Sequence, residues 1–222
     1  MKRRESERAG EARGGLETMI FDPNAVPVVR FAQLMNSVIV PRPIAFVTTV
    51  STAGGVNAAP FSWFCGLATR PPLLGVSISP RDGEPKDTLR NLRETREFVV
   101  NVVTETMAAQ IVKASGDWPA DVDELALVGL TAVPSDLVRP PRVAESPVNL
   151  ECRLDREIAL GESRFVVGEI LRAHVKDEVL TEGRVDVTKL RPLARLGGEQ
   201  YTGLGELLRL PRPKVQRTPD SG

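Results

Sequence analysis

The segment Arg81–Arg96, RDGEPKDTLRNLRETR, carries the residues best suited to hold an anion. A loop bearing Arg81 and Lys86 runs into Asp87 and Thr88 at the start of a predicted helix. Unpaired backbone amides at a helix N-terminus, joined by two cations and a hydroxyl, suit a phosphate. Asp87 is a poor phosphate ligand and reads instead as the N-cap. An ordinary solvated helix start with scattered charges accounts for the same residues, and on this segment alone it is the favoured reading. A second feature is Pro43–Thr69, a stretch without Asp, Glu, Lys or Arg. In it PRPIAFVTTV offers the hydroxyls of Thr48 and Thr49, and NAAPFSWFCG sets small residues, a proline and a hydroxyl beside aromatics. Such a wall suits a planar uncharged ring, with apolar faces to stack on and a few polar edge contacts. A barrel core in which Phe46, Phe61, Trp63 and Phe64 pack together is the alternative, and periodicity does not decide between them.

Other catalytic equipment is sparse. The sequence holds no GxSxG elbow, HExxH, Walker loop or GxGxxG after a strand. Its one histidine, His174, shares a strand face with Arg172 and Lys176 and reads as a solvated surface residue. The two cysteines, Cys65 and Cys152, lack CxxC spacing, which argues against a zinc site or a disulfide scaffold; no metal is predicted. Cys152 lies on an apolar strand face and reads as core. A chain without an acid–base constellation points to a cofactor that carries the chemistry.

The elements that must position these residues are mostly strands. Ile44–Val50 is apolar and β-branched, and Ser51–Gly55 supplies a hairpin turn. Leu73–Ser79, Phe98–Val103 and Phe165–Val175 are further strands. Val148–Leu160 alternates most cleanly: Val148, Leu150, Cys152, Leu154, Ile158 and Leu160 face one way, with Asn149, Glu151, Arg153, Asp155 and Glu157 opposite. One helix, capped by Asp87, runs from Thr88 to Arg96 and buries Leu89 and Leu92. Another starts at Thr104, buries Met107 and Ile111 and stops at Gly116. Asp117–Leu130 reads as a loop and short helix near a pocket mouth, with Trp118 anchoring the loop or acting as a lid. Antiparallel strands with a few short helices predict a closed or partly closed barrel, because closure removes sticky edges.

Composition agrees with one folded domain. The chain has 222 residues, 41% apolar and 26% charged, enough to bury a sizeable core. Lys plus Arg and Asp plus Glu each total 29, and that balance argues against a nucleic-acid or membrane-surface partner. Residues 1–18 read as a charged disordered extension, with Met19 a candidate start. Residues 19–210 read as the domain and 211–222 as a polar tail. The N-terminus lacks the apolar core of a signal peptide, and two cysteines suit a reducing cytoplasm.

Several segments, in order, closely resemble the flavin reductase-like family: PRPIAFVTTV, NAAPFSWF, PPLLGVSIS, KDTLRNLRETREFVVNVVTE and the late RLGG-x-x-Y of Arg195–Tyr201. PPRVAESPVNLECRL, Pro140–Leu154, resembles one branch of that family. The resemblance covers roughly 21–210 and implies a mainly β fold with short helices. That fold is the FMN-binding split β-barrel with Greek-key-like antiparallel strands. It implies a homodimer holding FMN at or near the subunit interface. Arg42, Thr48 and Thr49 would line the flavin, and Ala59, Pro60, Phe61 and Ser62 would contact the isoalloxazine. Arg81, Lys86 and Thr88, at the helix start capped by Asp87, would hold the phosphate. Arg195, Gly197, Gly198 and Tyr201 would shape the open, substrate-side face, where Gln200 replaces an aromatic that relatives often carry. The implied activity is a hydride passed from NAD(P)H to flavin, then electrons passed on to free flavin, an oxygenase partner, a metal chelate or oxygen. A non-enzymatic FMN electron carrier and a split-barrel flavin oxidase are the alternatives.

Overall fold

The computed structural model describes residues 18–213. The predicted segments 1–18 and 211–222 thus fall largely outside the described residues. Seven principal strands form one antiparallel sheet: β1 (Ala45–Val50), β2 (Val56–Phe61), β3 (Phe64–Thr69), β4 (Pro72–Ile78), β5 (Glu97–Val102), β6 (Val148–Leu160) and β7 (Ser163–Val175). Their order is β2-β1-β5-β6-β7-β4-β3. Hairpins join β1 to β2, β3 to β4 and β6 to β7. β4 and β5, successive in the chain, are separated by β6 and β7. This is the Greek-key-like connection that the sequence led us to expect. It carries α2 (Asp87–Thr95) across the sheet.

β1 is buried on both faces. Ala45 and Val47 join a core with Leu74, Val76, Phe98, Cys152 and the α2 residues Leu89 and Leu92. Ile44 and Phe46 face a second core with Met107, Ile111, Leu125 and Val143. Phe46 and Phe98 are fully buried, each contributing about 1.5–3 kcal/mol of apolar burial. The predicted second helix appears as a short 3-10 turn, Glu105–Met107, continued by α3 (Ala108–Ala114). Among the aromatics of the uncharged Pro43–Thr69 stretch the outcome is mixed: Phe46 is core, Phe61 is core at one edge of the sheet, and Trp63 remains 37% exposed.

Two features differ from the sequence reading. β6 has the predicted bounds, but Asn149 and Glu151 on its polar face are buried, Glu151 completely. The segment around 134–143 folds over that half of the strand and supplies their partners. A helix not anticipated, α1 (Val28–Val38), precedes the first strand and buries none of its residues within this chain. Its apolar residues Val28, Phe31, Met35 and Val38 recur at the three- and four-residue steps of a helix face.

Candidate functional site

A cavity of about 630 Å³ opens between α1, the end of β2, α3 and the Arg195–Tyr201 loop. That volume falls inside the roughly 300–1,000 Å³ typical of small-molecule sites. Pro60, Phe61 and Ser62 form one wall, Gln33, Asn36 and Ser37 of α1 another, and Arg195, Gly198 and Tyr201 a third. Arg42 and Arg195 line it as well, and no carboxylate does.

The two arginines differ in what they hold. Arg42 is buried, and its Nη1 donates to the carbonyls of Asn36 and Ile39, each at 2.7 Å. Nη2 donates to Leu196 O at 2.9 Å and Nε to Ser62 Oγ at 3.3 Å. The guanidinium therefore ties the C-terminal end of α1 to the late loop and to the wall, satisfying helix carbonyls that lack partners. Burial, and then the charge of Arg195, pull its pKa down. Arg195 donates to Tyr201 Oη and to Gly198 O, and stacks over the Tyr201 ring at 4.5 Å from the centroid. The backbone of Gly198 has φ +56°, and a Cβ on Gly197 would come 2.7 Å from Ser37 Oγ, so the loop meets α1 at glycine.

The predicted phosphate group lies outside the cavity lining. Lys86 Nζ sits 5.8 Å from the Phe61 ring centroid, so the cavity wall and the cation share one side chain. Lys86 is the N-cap residue of α2, and no side chain caps that helix. Arg81 opens the tight Arg81–Glu84 turn, and its Nη2 lies 2.6 Å from Asp117 Oδ1. Burial lowers the pKa of Lys86, Arg81 lowers it further, and Asp117 acts in the opposite sense.

Other predicted residues stand elsewhere. Asp87 is not the N-cap: it is the first helical residue, and its carboxylate pairs with Arg90. Thr88 is fully buried, and its Oγ accepts from Asn57 Nδ2 at 3.0 Å. Thr48 and Thr49 are also fully buried, so they support the wall from beneath rather than line it. Thr48 Oγ donates to Pro141 O at 2.5 Å, and Thr49 Oγ accepts from Asn91 Nδ2 at 3.0 Å. Ala59 is half-buried against the first core. Trp118 anchors its loop through Nε1 to Lys113 O at 3.0 Å.

His174 is corrected too. Its Nε2 lies 2.6 Å from Oε1 of the buried Glu151, which also accepts the amides of Asp136 at 2.9 Å and Leu137 at 2.6 Å. These donors hold the Glu151 carboxyl below its ordinary value against the opposing effect of burial. Asp136, Glu151 and His174 place ligand-type atoms within 4.8 Å of one another. Arg172 Nη1 is 2.6 Å from Asp136 Oδ2, so the cluster is an ion-pair network tying β7 to the 134–137 segment.

Residues that the sequence did not single out complete the site. Gln33, Asn36 and Ser37 line the cavity from α1, and the apolar spacing of that helix was the available signal. Asn57 of β2 and Asn91 of α2 form a buried polar layer with Thr49 and Thr88 between the helix and the sheet. Glu124 of α4 (Glu124–Val128) accepts the Ala58 amide at 3.0 Å, closing the outer edge of β2, and burial pushes its carboxyl up. Nothing local in the sequence announced that contact.

Comparison with known proteins agrees with this geometry. A family model described as flavin reductase like domain matches residues 35–197. An uncharacterized protein of Halalkalibacterium halodurans is 39% identical, over 90% of this chain and 99% of its own length. The crystal structure of nitrilotriacetate monooxygenase component B from Bacillus cereus is 35% identical with a TM-score of 0.85, covering 88% of this chain and all of that one. That of 2-nitrobenzoate 2-nitroreductase from Pseudomonas fluorescens is 31% identical with a TM-score of 0.81, covering 92% and 100%. The antiparallel architecture is the split barrel of these flavin reductase folds. By its matched residues and its relatives, the chain belongs to the flavin reductase-like domain family.

Proposed function

We propose that this chain is an FMN-dependent oxidoreductase of flavin reductase type. In this reading it takes a hydride from NADH or NADPH and passes electrons to an acceptor. It works as a homodimer with the flavin at or near the subunit interface, in the cytoplasm. The observation that carries the reading is the Phe61 side chain. It lines an uncharged cavity wall, and Lys86 of an uncapped helix start lies over its ring.

The residues present fit that cofactor. Pro60, Phe61 and Ser62 offer a neutral surface for a flat ring system, and Arg81, Lys86 and the first amides of α2 offer an anion site. When bound, flavin supplies the hydride and electron chemistry, which explains why no acid–base constellation accompanies the cavity. The protein aligns, shields and charges. Arg42 holds α1, the late loop and Ser62 in fixed relation. Arg195 brings positive charge to a cavity with no lining carboxylate, which favours a ligand that becomes more negative on reduction. No helix among the described residues is long and apolar enough to cross a membrane. Similarity to a monooxygenase component B supports an oxygenase partner as the acceptor.

The test is anaerobic mixing of the FMN-loaded protein with NADH and, separately, NADPH, following oxidised-flavin absorbance. Bleaching by at least one nicotinamide at a rate that sustains turnover is expected. A flavin that dithionite bleaches but neither nicotinamide does would make the protein an electron carrier instead.

A further inference from the structure

Arg81 is occupied by the protein itself. Its Nη2 lies 2.6 Å from Asp117 Oδ1, and both charges act on Lys86. We propose that Asp117 is a built-in competitor for the cofactor phosphate, weakening the hold on FMN so that it exchanges. This rests on the reading of Arg81 and Lys86 as the phosphate cations.

The placement of Asp117 is held from both sides. Before it, Gly116 N donates to Lys113 O at 3.2 Å as α3 ends. After it, Trp118 N donates to Gly116 O at 3.2 Å and its indole Nε1 returns to Lys113 O. A Cβ on Gly116 would sit 3.0 Å from that indole nitrogen, so the indole packs closely over the glycine. The turn thus presents a carboxylate to Arg81 instead of letting it sweep through solvent. Its side chain is 77% exposed and that of Arg81 37%, and ion pairs so exposed contribute little to stability. Stability therefore does not account for the carboxylate that meets Arg81 at this turn.

A phosphate and Asp117 would compete for the same guanidinium edge. Even when displaced, the carboxylate would stay near enough to repel a dianion. The effect falls on the phosphate and not on the ring. FMN affinity is therefore lowered, and that of riboflavin, which has no phosphate, is untouched.

The experiment measures dissociation constants of FMN and riboflavin by flavin fluorescence quenching, for the wild type, Asp117→Asn and Lys86→Met. Asp117→Asn is expected to bind FMN about three- to tenfold more tightly at low salt, with riboflavin unchanged and the gain shrinking as salt rises. FMN affinity that is unchanged or weaker in Asp117→Asn overturns the proposal, as does an equal gain for riboflavin. Lys86→Met separates the two claims. If it weakens FMN toward riboflavin while Asp117→Asn does nothing, the phosphate site stands and the competitor falls. If it leaves the FMN-to-riboflavin ratio unchanged, the phosphate site itself is wrong.

Discussion

Arg42 and Arg195 line the same cavity, yet their hydrogen bonds assign them different work. Arg42 serves four protein acceptors from a buried position, so Arg42→Met strands the carbonyls of Asn36, Ile39 and Leu196. That variant is expected to lose about 2–4 kcal/mol in denaturant unfolding. Arg195 bonds within its own loop, so Arg195→Met is expected to stay within about 1 kcal/mol of the wild type. It should instead lower the reduction potential of bound FMN, because a cation near the ring favours the more negative reduced form. Spectroelectrochemistry showing no change in that variant would remove Arg195 from the chemistry. At this scale the sequence grouped Pro60, Phe61 and Ser62, and the structure sets all three on the cavity wall because they are consecutive at the end of one strand. The sequence spoke poorly for Thr48, Thr49 and His174. Strand periodicity says which residues share a face, and not what will cover that face.

Two strand contacts decide how tightly the sheet elements hold the site. A Cβ on Gly168 would lie 2.2 Å from Cζ of Phe98, and Phe98 is fully buried. Gly168→Ala is therefore expected to cost about 1–3 kcal/mol by overpacking, read as a lowered melting temperature. A Cβ on Gly75 would meet the Phe165 ring at the same distance, but Phe165 is only half-buried and has room to turn, so Gly75→Ala should cost less. Equal costs would show that the Phe98 ring moves as freely as that of Phe165. The second contact is Glu151, which links β6, β7 and the 134–137 segment through three donors. Its carboxyl is held below the unfolded value, so its stabilisation is fully present above about pH 4.3 and disappears as pH falls through the lower folded value. Glu151→Gln should unfold at lower denaturant near neutrality, and the gap to the wild type should narrow in acid. A gap independent of pH would mean the charge of Glu151 plays no part. The alternation in Val148–Leu160 revealed the strand and its bounds. The burial of Asn149 and Glu151 was invisible because their cover comes from residues 134–143, an irregular segment with no period of its own.

The whole molecule leaves apolar surface uncovered. Val28 is 81% exposed on α1, and Leu208 and Leu210 near the end of the described chain are 74% and 83% exposed. α1 also forms one wall of the cavity, so the homodimer proposed above would place the site beside its interface. Sedimentation is expected to give a dimer, and Val28→Lys with Val29→Lys should weaken both dimerisation and FMN binding. A monomer that still binds FMN at full strength would separate the two. The family was legible from ordered motifs spread along the chain, whereas α1 and its exposed face were not, since they belong to none of those motifs. The most direct measurement of the central claim is the binding of FMN against riboflavin to the wild-type protein. A cavity wall for the ring joined to cations for the phosphate predicts about one FMN per chain, with riboflavin about tenfold or more weaker. Equal affinities, or no flavin bound at all, would contradict it.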